Sequence, residues 1–165
     1  MEEATTKINS FLSFRLGEET FAANVSSVLN ILEMTKITAV PQAPEYMKGV
    51  INLRGTVLPV VDTRIKFGLP EIEYTKDTCI VVMDLKFEDE SIYVGSLVDG
   101  VEEVLEIEKT DILPAPTIGN KYKSDFINGM FKHGEDKFIM LLNMNKVFNT
   151  DDLVVMHENF NEEIN

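Results

Sequence analysis

A chain of 165 residues with 44% hydrophobic side chains can bury a substantial core, and its length suits one domain or two small fused barrels rather than a disordered polymer. Its 15 basic and 28 acidic residues leave a net charge of -13, which repels nucleic acid and anionic membrane and favours a protein partner with a basic patch. No basic leader with an apolar stretch opens the sequence, no run of about 18 apolar residues follows, and Cys79 is the only cysteine, so a soluble cytoplasmic protein without an intrachain disulfide or a multi-thiolate metal site is expected.

In chain order, Leu12, Phe14 and Leu16 alternate on one face, and Phe21, Ala23 and Val25 resume the alternation after Gly17-Glu18-Glu19, which predicts a hairpin. From Val25 to Glu33 the apolar positions Val28, Ile31 and Leu32 recur at three and four, predicting a short amphipathic helix with Asn24 or Ser26 near its N-cap. Ile37 to Val40 reads as an extended piece stopped by Pro41 and Pro44. The segment from Gly49 to Asp62 places two apolar runs around Asn52-Leu53-Arg54-Gly55. Gly55 can take the positive φ of a tight reversal, so Arg54 is expected either to be paired or to be presented at a recognition surface.

Asp62 to Phe67 predicts a turn of helix ending at Gly68, followed by an acidic loop. Strands are expected at Cys79 to Leu85, Ile92 to Val98 and Val101 to Ile107, with hairpin turns at Glu88-Asp89-Glu90-Ser91 and Asp99-Gly100. Another pair, Phe126 to Lys132 and Phe138 to Asn143, spans His133-Gly134-Glu135-Asp136-Lys137. The prolines of Asp111 to Asn120 predict a semi-rigid surface segment, and the tail from Asn145 is expected to start as a helix packing Val147, Phe148 and Leu153 before becoming polar beyond His157. No repeat is visible at the residue level. About ten short strands with only short helices predict an all-β protein of closed sheets, because closure removes exposed edges.

Catalytic chemistry does not assemble. His133 and His157 lack i, i+4 partners for a metal, the nine glycines form no phosphate loop, and Cys79 sits in an apolar strand as a small hydrophobe. Glu102, Glu103, Glu106 and Glu108 read as the solvated face of a strand, and Met130, Met140 and Met144 as core filling. No catalytic residue, metal or cofactor is expected.

The ordered motifs resemble the CheW-like coupling proteins of bacterial chemotaxis. They are Phe-Leu-Ser-Phe-Arg-Leu-Gly-Glu-Glu from Phe11, Tyr46 to Gly55, Pro59-Val60-Val61-Asp62 with Arg64 to Gly68, Val98-Asp99-Gly100-Val101, and Leu113-Pro114-Ala115-Pro116. The resemblance implies two fused five-stranded SH3-like barrels over residues 8–150, with short helices, a C-terminal helix, and flexible termini at 1–7 and 158–165. It implies a non-enzymatic adaptor between a CheA-type histidine kinase and the cytoplasmic tip of methyl-accepting chemoreceptors, recruited to receptor arrays without entering the membrane. Carried over by position, the receptor-facing groove is Val28, Asn30, Gly49, Arg54, Ile80 and Val104, and the kinase contacts are Ile37, Leu113, Thr117 and Ile118. Asn30 stands where the family usually has a glutamate paired with the arginine, which leaves Glu33 or a receptor carboxylate as the partner of Arg54. Leu113 and Thr117 stand where charged residues are common. Two other readings are a regulatory module of a larger kinase or receiver-containing scaffold, and a barrel holding a small molecule. The first is disfavoured by a chain that begins at Met1 and carries neither a receiver nor an ATP-binding motif, the second by strands with few inward polar residues.

Overall fold

A computed structural model of the protein describes residues 8–115, 126–148 and 152. Its strands are β1 (Ile8–Leu16), β2 (Glu19–Asn24), β3 (Val28–Glu33), β4 (Met47–Leu53), β5 (Thr56–Asp62), β6 (Cys79–Phe87), β7 (Glu90–Val98), β8 (Gly100–Glu108), β9 (Ile127–Lys132) and β10 (Phe138–Leu142). Two one-turn helices, α1 (Thr63–Lys66) and α2 (Met144–Val147), follow β5 and β10. One sheet has the order β8-β1-β2-β10-β9, the other β3-β6-β7-β5-β4. The all-β expectation and nearly every strand position hold. Between the sheets a shared core takes Leu12, Phe14 and Leu16 from one and Val61, Val81, Met83 and Leu85 from the other, capped by Met144, Val147 and Phe148.

Each sheet stops short of the continuous closure expected of a barrel. Its two edges are joined instead by a single bridge, Thr38 to Val50 in one and Leu113 to Met130 in the other, made by the chain just after the edge strand β3 or β8. The sheets are topologically the same. Exchanging β1, β2, β8, β10 and β9 for β6, β7, β3, β5 and β4 converts one order into the other, and the central pairings β2–β10 and β5–β7 are both parallel. Each half of the chain therefore gives its hairpin to one sheet and its other three strands to the opposite sheet. Local chemistry repeats as well. The Asp62 amide donates to the Tyr46 carbonyl at 2.7 Å and the Asn143 amide to the Phe126 carbonyl at 2.8 Å. Gly49 and Gly129 are the points where the bridging chain comes too close for a side chain, a Cβ falling 2.1 Å from the Thr38 oxygen or 2.7 Å from the Leu113 oxygen. The repeat is absent from the sequence because geometry, not side-chain identity, is what the two halves share.

Two expectations are overturned. The helix predicted from Val25 to Glu33 is a 3-10 turn at Val25–Ser27, capped by Asn24 accepting from the Ser26 amide, and then strand β3. A nine-residue helix is marginal by itself, and β6 offers an open edge that Val28 to Glu33 covers by pairing with Met83 to Cys79. Second, Asp99-Gly100 is no hairpin. There the chain crosses from β7 in one sheet to β8 in the other, where β8 pairs with β1. The predicted helical turn after Asp62 is α1, with the Asp62 carboxylate capping the Arg64 and Ile65 amides and Gly68 leaving it at φ +80. The C-terminal helix is represented by α2, and the termini, Leu153 and His157 lie outside the described residues.

Candidate partner-binding surface

Strand β3 is an edge; Val28 and Leu32 pack against the core, and Leu29 and Ile31 face outward. Leu29 is 51% exposed and Ile31 44%, with Val25 partly exposed in the preceding turn. The register slips between Val28 and Asn30, so Leu29 has no partner on β6 and projects from the bulge. Val104, on the corresponding edge strand of the other sheet, is 56% exposed. It pairs with Leu12, which pairs with Ala23, next to the Asn24 cap that leads into β3. Val104 is thus two strand spacings, about 10 Å, from Ala23, from which the chain runs through the Asn24 cap into β3. This is an apolar surface on strand edges rather than on a helix.

Arg54 occupies the first position of a two-residue turn between Leu53 and Thr56, with φ 51 at Arg54 and φ 86 at Gly55. Two successive positive φ values match the twist of a hairpin, and Asn52 secures the turn by accepting from the Gly55 amide at 2.7 Å. Arg54 is exposed and makes no hydrogen bond or ion pair among the described residues. Asn30 spends its side-chain oxygen on the Ile31 amide at 2.8 Å, and Glu33 forms no ion pair with Arg54. Of the two expectations for Arg54, pairing is not seen among the described residues.

The remaining positions divide. Ile80 is fully buried among Ile51, Leu58, Val60, Val82 and Leu97, so its side chain supports the surface from beneath and does not reach it. Gly49 is buried under the Thr38–Val50 bridge, where its role is the close approach of two backbones. The sequence reading placed both among contact residues; in the free chain neither is exposed. Ile37 is half-buried against the same core as Ile80, whereas Leu113 is exposed beside its bridge to Met130. Thr117 and Ile118 lie outside the described residues. A helical reading of Val25 to Glu33 puts Ile31 on the buried face with Val28 and leaves Leu29 off it; with a period of two, Leu29 and Ile31 share the outward side of a strand.

Other motif residues prove to be structural. Arg64, only 9% exposed, donates to Asp99 at 2.6 Å and to the Pro70 carbonyl at 2.9 Å, while Asp99 also accepts from the Gly17 amide at 2.6 Å. This junction joins α1, the β1–β2 turn and the β7–β8 crossover. No cluster of three or more metal-ligating side chains occurs among the described residues. The half-buried Cys79 thiol has its pKa raised, chiefly by burial, which is the opposite of what a nucleophile needs. Glu102, Glu103, Glu106 and Glu108 are solvent-exposed as expected, with Arg15 3.4 Å from Glu102.

Residues 10–152 match the CheW-like domain. The chain belongs to the CheW-like family. It is 36% identical over 141 residues to the chemotaxis protein CheW of Rhizobium meliloti (strain 1021), covering 86% of this chain and 88% of that one. To the chemotaxis protein CheW of Helicobacter pylori it is 30% identical over 151 residues, 91% of this chain and 87% of the other. Among solved structures it is similar to the scaffolding protein TtCheW from Thermoanaerobacter tengcongensis, with a TM-score of 0.75 at 28% identity over 88% of this chain and 96% of that one. The sheet order above is therefore that of a CheW-like fold, and no helix among the described residues is long and apolar enough to cross a membrane.

Proposed function

We propose that this CheW-like protein is a non-enzymatic chemotaxis adaptor that couples methyl-accepting chemoreceptors to a CheA-type histidine kinase and joins membrane-associated receptor arrays through those contacts. The observation that carries the reading is the Arg54 guanidinium, unpaired among the described residues and held at a glycine turn, in a molecule whose edge strand β3 presents Leu29 and Ile31 outward. An amphipathic helix of a receptor tip supplies what this surface lacks, an apolar stripe for Leu29, Ile31, Val28 and Val104 and a carboxylate for Arg54. The kinase side takes Leu113, Ile37 and the proline segment with Thr117 and Ile118. A small-molecule carrier is less well supported, because one face of the β3-β6-β7-β5-β4 sheet is filled by its own side chains, and even a Cβ on Gly95 would lie 2.7 Å from Ile80.

The test is reconstitution of receptor-controlled kinase autophosphorylation with and without the protein. Stimulation without nucleotide turnover by the protein itself is expected, and turnover that survives repurification would refute the adaptor reading. Two substitutions localise the contacts. Leu29→Glu should cost receptor affinity about 1.5–3 kcal/mol through lost burial, and Arg54→Ala about 1–3 kcal/mol through loss of a charge-assisted bond, both with the free protein's thermal midpoint unchanged. Leu113→Glu should weaken kinase binding alone. It is a cleaner probe than Ile37→Glu, because Ile37 also packs against the core.

A further inference from the structure

Asp152, beyond α2, sits at a site that the partner-binding surface does not use. Asp152 is buried, accepts a hydrogen bond from the Tyr46 hydroxyl, and lies 2.5 Å from the Lys66 ammonium. That ammonium also stands 4.5 Å from the centre of the Tyr46 ring and 5.8 Å from that of Phe148. One carboxylate, one cation and two rings thus bring together the residue that precedes β4, the helix α1 that follows β5, and the chain beyond α2. Burial and then Asp152 hold the Tyr46 hydroxyl pKa well above the ordinary tyrosine range, so the hydroxyl remains a donor.

We propose that Asp152 is a latch that holds β4, and with it the Arg54 turn, in place. Tyr46 is the handle. Its hydroxyl goes to Asp152, its carbonyl accepts the Asp62 amide at 2.7 Å, and the next seven residues are β4, which runs directly into Arg54. Removing the carboxylate's charge leaves the Lys66 ammonium beside two rings without its counter-ion and weakens the shared acceptor on which Tyr46 is anchored. The start of β4 is then free to move, while the β6–β7 hairpin stays held by its own nine-pair ladder. The inference rests on this geometry and not on the adaptor reading.

Amide hydrogen exchange on the full-length protein tests it. In Asp152→Asn, exchange is expected to quicken about tenfold or more at the Asp62 and Met47 amides, and measurably at the Gly55 amide of the turn, with Val82 and Val94 unchanged. Tyr46→Phe removes only the hydroxyl and should give the same pattern at smaller size, which keeps the test decisive if Asp152→Asn does not fold. Faster exchange spread evenly over both sheets would make Asp152 a general stabiliser, and no change would make it an incidental contact. Either result overturns the latch.

Discussion

Gly49→Ala is expected to destabilise the protein by about 3–5 kcal/mol, enough to unfold much of a marginally stable population. The new Cβ would lie 2.1 Å from the Thr38 oxygen and 2.7 Å from its carbonyl carbon, and both are backbone atoms with no rotamer to give way. Relief requires opening the Thr38–Val50 bridge, whose two hydrogen bonds of 2.9 and 2.8 Å are worth about 1 kcal/mol each. The φ of +146 at Gly49 adds about 1–3 kcal/mol, since an L side chain is strained there. Gly55→Ala is the control. At φ +86 it carries backbone strain, but nothing lies within 4 Å of its Cβ, so a loss of only about 1–2 kcal/mol is expected. Urea denaturation of the two variants separates clash from conformational strain, and a Gly49→Ala protein within 1 kcal/mol of the parent would show that the sheet edges are not held by that bridge.

Breaking the Arg64–Asp99 pair is expected to cost about 3–5 kcal/mol from either side, because each leaves an uncompensated charge in a largely buried site. Arg64→Ala strands Asp99 with only the Gly17 amide, and Asp99→Ala strands the guanidinium with only the Pro70 carbonyl. The double variant should be well short of additive, with a coupling of about 1–3 kcal/mol, since the second change removes the charge that the first orphaned. Arg64→Lys should not rescue, because an ammonium lacks the fork that serves Asp99 and Pro70 together. The losses should persist at 1 M salt, which screens exposed pairs such as Arg15 with Glu102 far more than buried ones. Additive losses in the denaturation cycle would mean that the two side chains act separately and that the crossover is held by something else.

How far the sequence reached can be followed residue by residue. Alternation located β1 and β2, and apolar runs bounded by turn residues located β6, β7, β8, β9 and β10, because both signals are local properties of the chain. The helical turn from Asp62 to Phe67 ending at Gly68 and the Leu53–Thr56 turn were equally legible, since a helix-stopping glycine and a glycine with positive φ are settled within a few residues. The ordered motifs from Phe11 to Pro116 identified the family for a related reason, as they recur in a fixed order along the chain.

What only the tertiary structure decided lies wherever two distant segments compete for the same edge. Val28 to Glu33 carries a helical spacing, yet it became a strand because β6 had an unpaired ladder that a short helix leaves open. The same long-range pairing turned Leu29 and Ile31 outward and sent β8 to β1 instead of back along β7. It also buried Gly49 and Ile80, because burial depends on what lies on the far side of a sheet and no window of sequence contains it. Arg64 and Asp99 are 35 residues apart, and their 2.6 Å bond exists only once the two halves of the chain have exchanged strands. Residue types and periodicity fixed the inventory of strands and turns; the free energy of covering edges and neutralising buried charges fixed their partners.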